Sequence, residues 1–95
     1  MEAPRDELLT FAVIMEQRLR ANDHKTGWAN LTNQWLLMRV RQELKELERA
    51  LKDRSNVHDE AADAANFLMM ISDNYAEEQS NAGNQGQTPQ GENHE

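Results

Sequence analysis

The chain predicts an all-α fold, a bundle of about three helices per chain completed by oligomerisation. Three observations carry that expectation. Apolar residues recur at three- and four-residue spacing in three separate stretches, and no stretch alternates as a strand would. There is no internal repeat and no second domain among the 95 residues. The part able to fold is about 75 residues long, which is marginal for a lone hydrophobic core.

The elements follow in order. Pro4 suits a first helical position, and Leu8, Phe11, Met15 and Leu19 continue at helical spacing to about Ala21. "NDHKTG" (22–27) is polar, contains Gly27 and reads as a loop. A long second helix is expected from about Trp28 or Leu31 to Leu51, with Leu36, Val40, Leu44, Leu47 and Leu51 as its apolar stripe. "KDRSN" breaks it, and Asn56 suits an N-cap with Asp59 and Glu60 in the turn that follows. The third helix continues to about Glu78, and short connections make neighbouring helices antiparallel. Residues 79–95, "QSNAGNQGQTPQGENHE", have Ala82 as their sole aliphatic side chain. Such a segment cannot bury enough apolar surface to offset its ordering entropy, so it is expected to be a disordered polar tail behind a domain of residues 1–78.

Composition narrows the setting. The absence of cysteine fits a reducing compartment. No run of 18 apolar residues is present, and "MEAPRDE" lacks the basic start of a signal peptide. A cytoplasmic protein is expected. The net charge of −7 argues against nucleic acid or an anionic membrane as partner. An anionic substrate would need a metal or a local cluster of cations in order to bind.

The third helix poses the functional question. In "HDEAADAANFLMMISD" (58–73) nearly every side from Ala61 to Ile71 is apolar, yet Glu60 and Asp63 stand at its start. A helix apolar all round is normally buried, and a buried unpaired carboxylate is costly. At 100° per residue, Glu60 lies about 40° and Asp63 about 100° from the stripe centre at Ala64, on one side. On the second helix Glu43 lies about 60° and Glu46 about 120° from Val40, again on one side. Each helix therefore offers an i, i+3 acid pair at the edge of its apolar face. If the edges meet, four carboxylates converge and need cations; hard oxygen ligands select Mg²⁺ or Mn²⁺. Taken singly, either pair reads as a solvated face or as first-turn acids favoured by the helix dipole.

Other chemistries find no residues. His24, His58 and His94 form no H-E-x-x-H pair, and no Glu-x-x-His supports a di-iron bundle. There is no Walker A loop, no nucleophile elbow and no cysteine nucleophile.

Glu-x-x-Glu, a short connection and Glu-x-x-Asp, standing here as "ELKEL" (43–47) and "EAADAANF" (60–67), resemble the MazG-like all-α nucleoside triphosphate pyrophosphohydrolases, which include dimeric dUTPases. Thirteen residues separate Glu46 from Glu60, and "HKTGW" (24–28) ahead of the second helix adds to the likeness. It covers about residues 8–75 and is nearest to small single-domain members found in phages and bacteria. One departure is Gln42, where many relatives place a further glutamate. The resemblance implies Mg²⁺ held by Glu43, Glu46, Glu60 and Asp63. It implies hydrolysis of an NTP or dNTP to the monophosphate and pyrophosphate, within a homodimer or homotetramer.

Residue chemistry is consistent with that reading. Glu43 or Glu46, if not fully used as a ligand, could orient a water or take its proton. Lys25 is a candidate phosphate contact or a solvated loop lysine. Trp28 could stack on a base or belong to the core. Asn66, three residues after Asp63, could bind substrate or simply pack. The rival from another class is a non-catalytic helical oligomer, an adaptor or regulator retaining the scaffold.

Overall fold

The computed structural model describes residues 2–22 and 27–85. Three helices account for them: α1 (Asp6–Ala21), α2 (Asn33–Asp53) and α3 (Val57–Gln85), with no strand among the described residues. The all-α expectation holds.

α1 opens just after Pro4, on the Arg5 carbonyl, which accepts from the backbone N–H groups of Leu8 and Leu9 at 3.1 Å. Asp6 and Glu7 sit in the first turn and Arg18 and Arg20 in the last, each on the end of the helix dipole that favours its sign. Both the backbone N–H and the side-chain amide of Asn22 donate to the Arg18 carbonyl at 3.1 Å, closing the helix.

α2 begins later than its apolar pattern suggests. Leu31 N–H donates to the Trp28 carbonyl at 3.1 Å, so residues 28–31 form a turn. Thr32 then caps the helix, its Oγ1 accepting from Trp35 N–H at 3.1 Å. A capping hydroxyl needs extended backbone at its own residue, and that stops the helix from running back to Trp28. The far end closes on the Ala50 carbonyl, which accepts from both Arg54 and Ser55 N–H groups. This closure requires left-handed backbone at Arg54, where φ is 57°. Asn56, also left-handed at φ 62°, offers its carbonyl to Glu60 N–H and starts α3. α3 continues to Gln85, beyond Glu78 where the apolar pattern ends.

α3 lies in the middle. α1 and α2 each pack on it and not on one another. Both run antiparallel to it: Met15 and Arg18 of α1 meet Asn66 and Asp63, and Trp35 and Glu43 of α2 meet Phe67 and the Glu60–Asp63 turn. The buried apolar residues are Leu36, Val40 and Ala50 on α2 with Ala62, Ala64 and Met70 on α3.

The buried row on α2 differs from the expected stripe. It runs through residues 36, 40, 43 and 50, whereas Leu44 and Leu51 are 48% and 58% exposed. α2 carries two apolar rows, and a single chain covers one of them. Leu37, Leu44 and Leu51, spaced by seven, form the open row. Leu68 and Tyr75 on α3 and Leu9 and Val13 on α1 are likewise exposed. No described helix is long and apolar enough to cross a membrane.

Candidate functional site

The two acid pairs meet where α2 crosses the first turns of α3. Glu43 projects from the buried row of α2 and is 8% exposed. Glu60 and Asp63 project from α3 one turn apart. One carboxylate oxygen from each of these three residues lies within 4.8 Å of the other two. Glu46 borders the same groove but stays outside that cluster, its carboxylate held by Arg49 at 2.8 Å. Three of the four expected ligands are therefore brought together, and the fourth stands at the rim.

Two arginines enter this cluster. Arg18 of α1 donates from Nε and Nη2 to the two oxygens of Asp63, both at 3.0 Å, and its Nη1 lies 3.8 Å from Asp59. This planar fork matches a carboxylate in two places at once. Arg39 of α2 donates to Glu43 at 2.9 Å, to Gln42 as well, and sits 4.9 Å from the centre of the Phe67 ring. Arg39 precedes Glu43 by one helical turn, whereas Arg18 and Asp63 are joined only by the fold.

Three carboxylates against two guanidiniums leave Glu60 without a cation of its own among the described residues. Burial, then the nearby charges of Glu43 and Asp63, hydrogen bonding with Glu43 and the charge of Glu46, push the Glu60 carboxyl above its ordinary range. The Asp63 hydrogen bond pushes the Arg18 guanidinium up against an opposing effect of burial.

The cluster stands between two open clefts. On the α1 side a cleft of about 350 Å³ opens between α1 and α2 over α3, bordered by Arg18, Asn22, Trp35, Arg39, Asn66 and Phe67. Trp35 and Phe67 meet edge to face, with ring centres 6.2 Å apart at 78°. Asn66 is 4% exposed; its Nδ2 donates to the Met15 carbonyl at 3.0 Å, and its Oδ1 is buried with no partner among the described residues. On the other side a groove of about 540 Å³ is bordered by Gln42, Lys45, Glu46, Arg49 and Glu60. Glu43, Asp63 and Arg39 border both.

Other expected site residues fall elsewhere. Trp28 donates its indole N–H to Asp73 at 2.9 Å, and its carbonyl accepts from Asn74. Ten residues of α3 separate Asp73 from Asp63, about 15 Å of helix, so Trp28 is not brought to the acids. Lys25 lies outside the described residues. Arg18, Arg39, Trp35 and Phe67 were not singled out by the sequence. The i, i+4 spacing of Arg39 to Glu43 was a readable signal. Arg18, 45 residues from Asp63, offered none.

The donor set fits a small hard cation. Octahedral Mg²⁺ with oxygens at about 2.0–2.1 Å places neighbouring oxygens roughly 3 Å apart and opposite ones roughly 4.2 Å apart. The oxygens of Glu43, Glu60 and Asp63 lie within 4.8 Å of one another, so the three carboxylates would have to draw together to hold such an ion. No family model, curated protein or solved structure matches this chain.

Proposed function

We propose that this protein is a Mg²⁺-dependent nucleoside triphosphate pyrophosphohydrolase, converting an NTP or dNTP to the monophosphate and pyrophosphate. The observation that carries the proposal is the meeting of Glu43, Glu60 and Asp63 on the ridge between two clefts, one with aromatic walls and one edged by Lys45 and Arg49. A nucleotide lying across that ridge would rest its base against Trp35 and Phe67 and extend its phosphates over the acids toward the cations. The position of the cleaved bond rests on the MazG-like resemblance alone.

Glu43, Glu60 and Asp63 would hold the metal, with Glu46 joining by exchanging Arg49 for the cation. Mn²⁺ would fit the same oxygens. The bound ion would offset polyphosphate charge and lower the pKa of a water. Glu43, oriented by Arg39, or Glu46 at the rim would align that water and accept its proton. Asn66 borders the aromatic cleft and would be positioned there by its bond to the Met15 carbonyl.

The open leucine row on α2 supports a homodimer or homotetramer. Leu37, Leu44 and Leu51 recur every seven residues, as a helix does when it packs against another helix.

A non-catalytic adaptor is the second reading. It is favoured by the forked pairing of Arg18 with Asp63, which ties α1 to α3 without a metal. A panel of NTPs and dNTPs, incubated with Mg²⁺ and with EDTA and separated by ion-exchange chromatography, distinguishes them. Monophosphate and pyrophosphate formed only with Mg²⁺ support the enzyme. Orthophosphate and diphosphate would refute the cleavage position. No turnover of any nucleotide, with metal bound at the acids, supports the adaptor.

A further inference from the structure

Both oxygens of Asp63 are already taken. Arg18 reaches across from α1 and covers them with Nε and Nη2 at 3.0 Å each, while Arg39 touches only one oxygen of Glu43. A divalent cation and a guanidinium on the same two oxygens would be like charges a few ångströms apart in a partly dehydrated site, which is strongly unfavourable. Metal ligation by Asp63 therefore requires Arg18 to leave or to give up at least one of its two bonds.

The space it would enter is next to it. The Arg18 side chain is 30% exposed and Asp63 only 14%, so the arginine covers the acid from the solvent side. Arg18 also borders the cleft that holds Asn66 and Arg39. Asn66, three residues after Asp63 on α3, borders the same cleft, and its Oδ1 is buried and unpartnered among the described residues.

We propose that Arg18 is a latch displaced by the metal: it occupies Asp63 in the metal-free chain, yields that carboxylate to the divalent cation, and then binds the polyphosphate of the metal-bound ligand. Metal and anionic ligand thus depend on one side chain in opposite ways. Arg18 lowers affinity for the bare cation and raises affinity for the cation–polyphosphate complex. The inference rests on the metal-site part of the proposed function and not on the bond cleaved.

The full chain with Arg18→Gln and with Arg18→Lys tests it, using Mn²⁺ alone and inorganic pyrophosphate with saturating Mg²⁺ as probes. If Arg18 holds Asp63 in about nine molecules of ten, its removal should tighten Mn²⁺ binding about 10-fold, as read from the electron paramagnetic resonance of free Mn²⁺. The same substitution should weaken magnesium–pyrophosphate binding by about 10-fold or more in calorimetry, because a forked charge-assisted contact is lost. Arg18→Lys should fall between parent and Arg18→Gln in both. In the parent, the Arg18 Nε–H resonance, assigned by its loss in Arg18→Gln, should move on adding Mg²⁺. A merely structural arginine predicts weaker binding of both probes in the variants, and that result overturns the latch. Should Arg18→Gln not fold, Arg18→Lys locates the parent resonance, and a signal unmoved by saturating Mg²⁺ overturns it equally. Absence of Mn²⁺ binding in the parent would overturn the metal site itself, which is a separate failure.

Discussion

Glu60→Gln should raise the melting temperature of the metal-free protein. Glu60 shares a 4.8 Å cluster with Glu43 and Asp63, and only those two have an arginine partner. Two like charges at that distance repel by about 3.5 kcal/mol at an effective dielectric constant of about 20, and by about 1 kcal/mol in bulk water. The two guanidiniums cancel much of this and Glu60 is partly solvated, so removing its charge should gain about 1 kcal/mol. For a domain of this size that corresponds to about 4–8 °C. The pH dependence follows from the raised carboxyl of Glu60. The folded chain holds that proton more tightly than the unfolded chain. Stability from this group is fully present below the unfolded value and is lost as pH rises through the folded one. The gap between Glu60→Gln and parent in EDTA should therefore be widest at neutral pH and close on acidification. Mg²⁺ at about 100 times its dissociation constant should add about 2.7 kcal/mol to the parent and much less to the variant. Circular dichroism melts from pH 4 to 8, with EDTA and with Mg²⁺, measure all of this. A lower melting temperature for Glu60→Gln in EDTA, or an equal gain from Mg²⁺ in both proteins, would refute the reasoning.

Three further outcomes are expected. Asp63→Asn and Glu46→Gln should each reduce nucleotide turnover by about 100-fold or more, since each weakens metal placement or water activation, and near-parental rates in Asp63→Asn would remove that residue from the site. Leu44→Glu should shift the mass in light scattering toward the 11.0 kDa monomer while leaving the helical content intact, because Leu44 is 48% exposed within one chain; an unchanged mass would place the interface elsewhere. Arg54→Gly should stabilise the chain by about 0.5–1 kcal/mol in urea titrations, because glycine adopts the left-handed backbone at φ 57° without Cβ strain and gives back part of the gain as unfolded-state freedom; a destabilised variant would mean the Arg54 side chain contributes to the turn.

What could be read from the residues depended on range. The three helices follow from local spacing, and even the Thr32 cap is a local signal, a threonine just ahead of the α2 pattern. The meeting of Glu43 with Glu60 and Asp63 was also accessible, because a short connection constrains two antiparallel helices to align their edges. Leu44 and Leu51 misled the choice of buried row, since hydrophobicity does not say which of two apolar faces a neighbour within the same chain will cover. Trp28 was drawn toward the site by its place in a motif, but its indole N–H goes to Asp73 on a later turn of α3. Arg18 needed the packing of α1 on α3, a contact between residues far apart in sequence that no periodicity encodes.

The most direct test of the central claim is the position of a divalent cation. Crystals grown with Mn²⁺ and measured near its absorption edge yield an anomalous difference map. The account predicts a peak between α2 and α3, about 2.2 Å from carboxylate oxygens of at least two of Glu43, Glu60 and Asp63, with Arg18 withdrawn from one or both oxygens of Asp63. A map with Mn²⁺ elsewhere on the chain, and Arg18 still forked on Asp63 with no peak beside it, would contradict it.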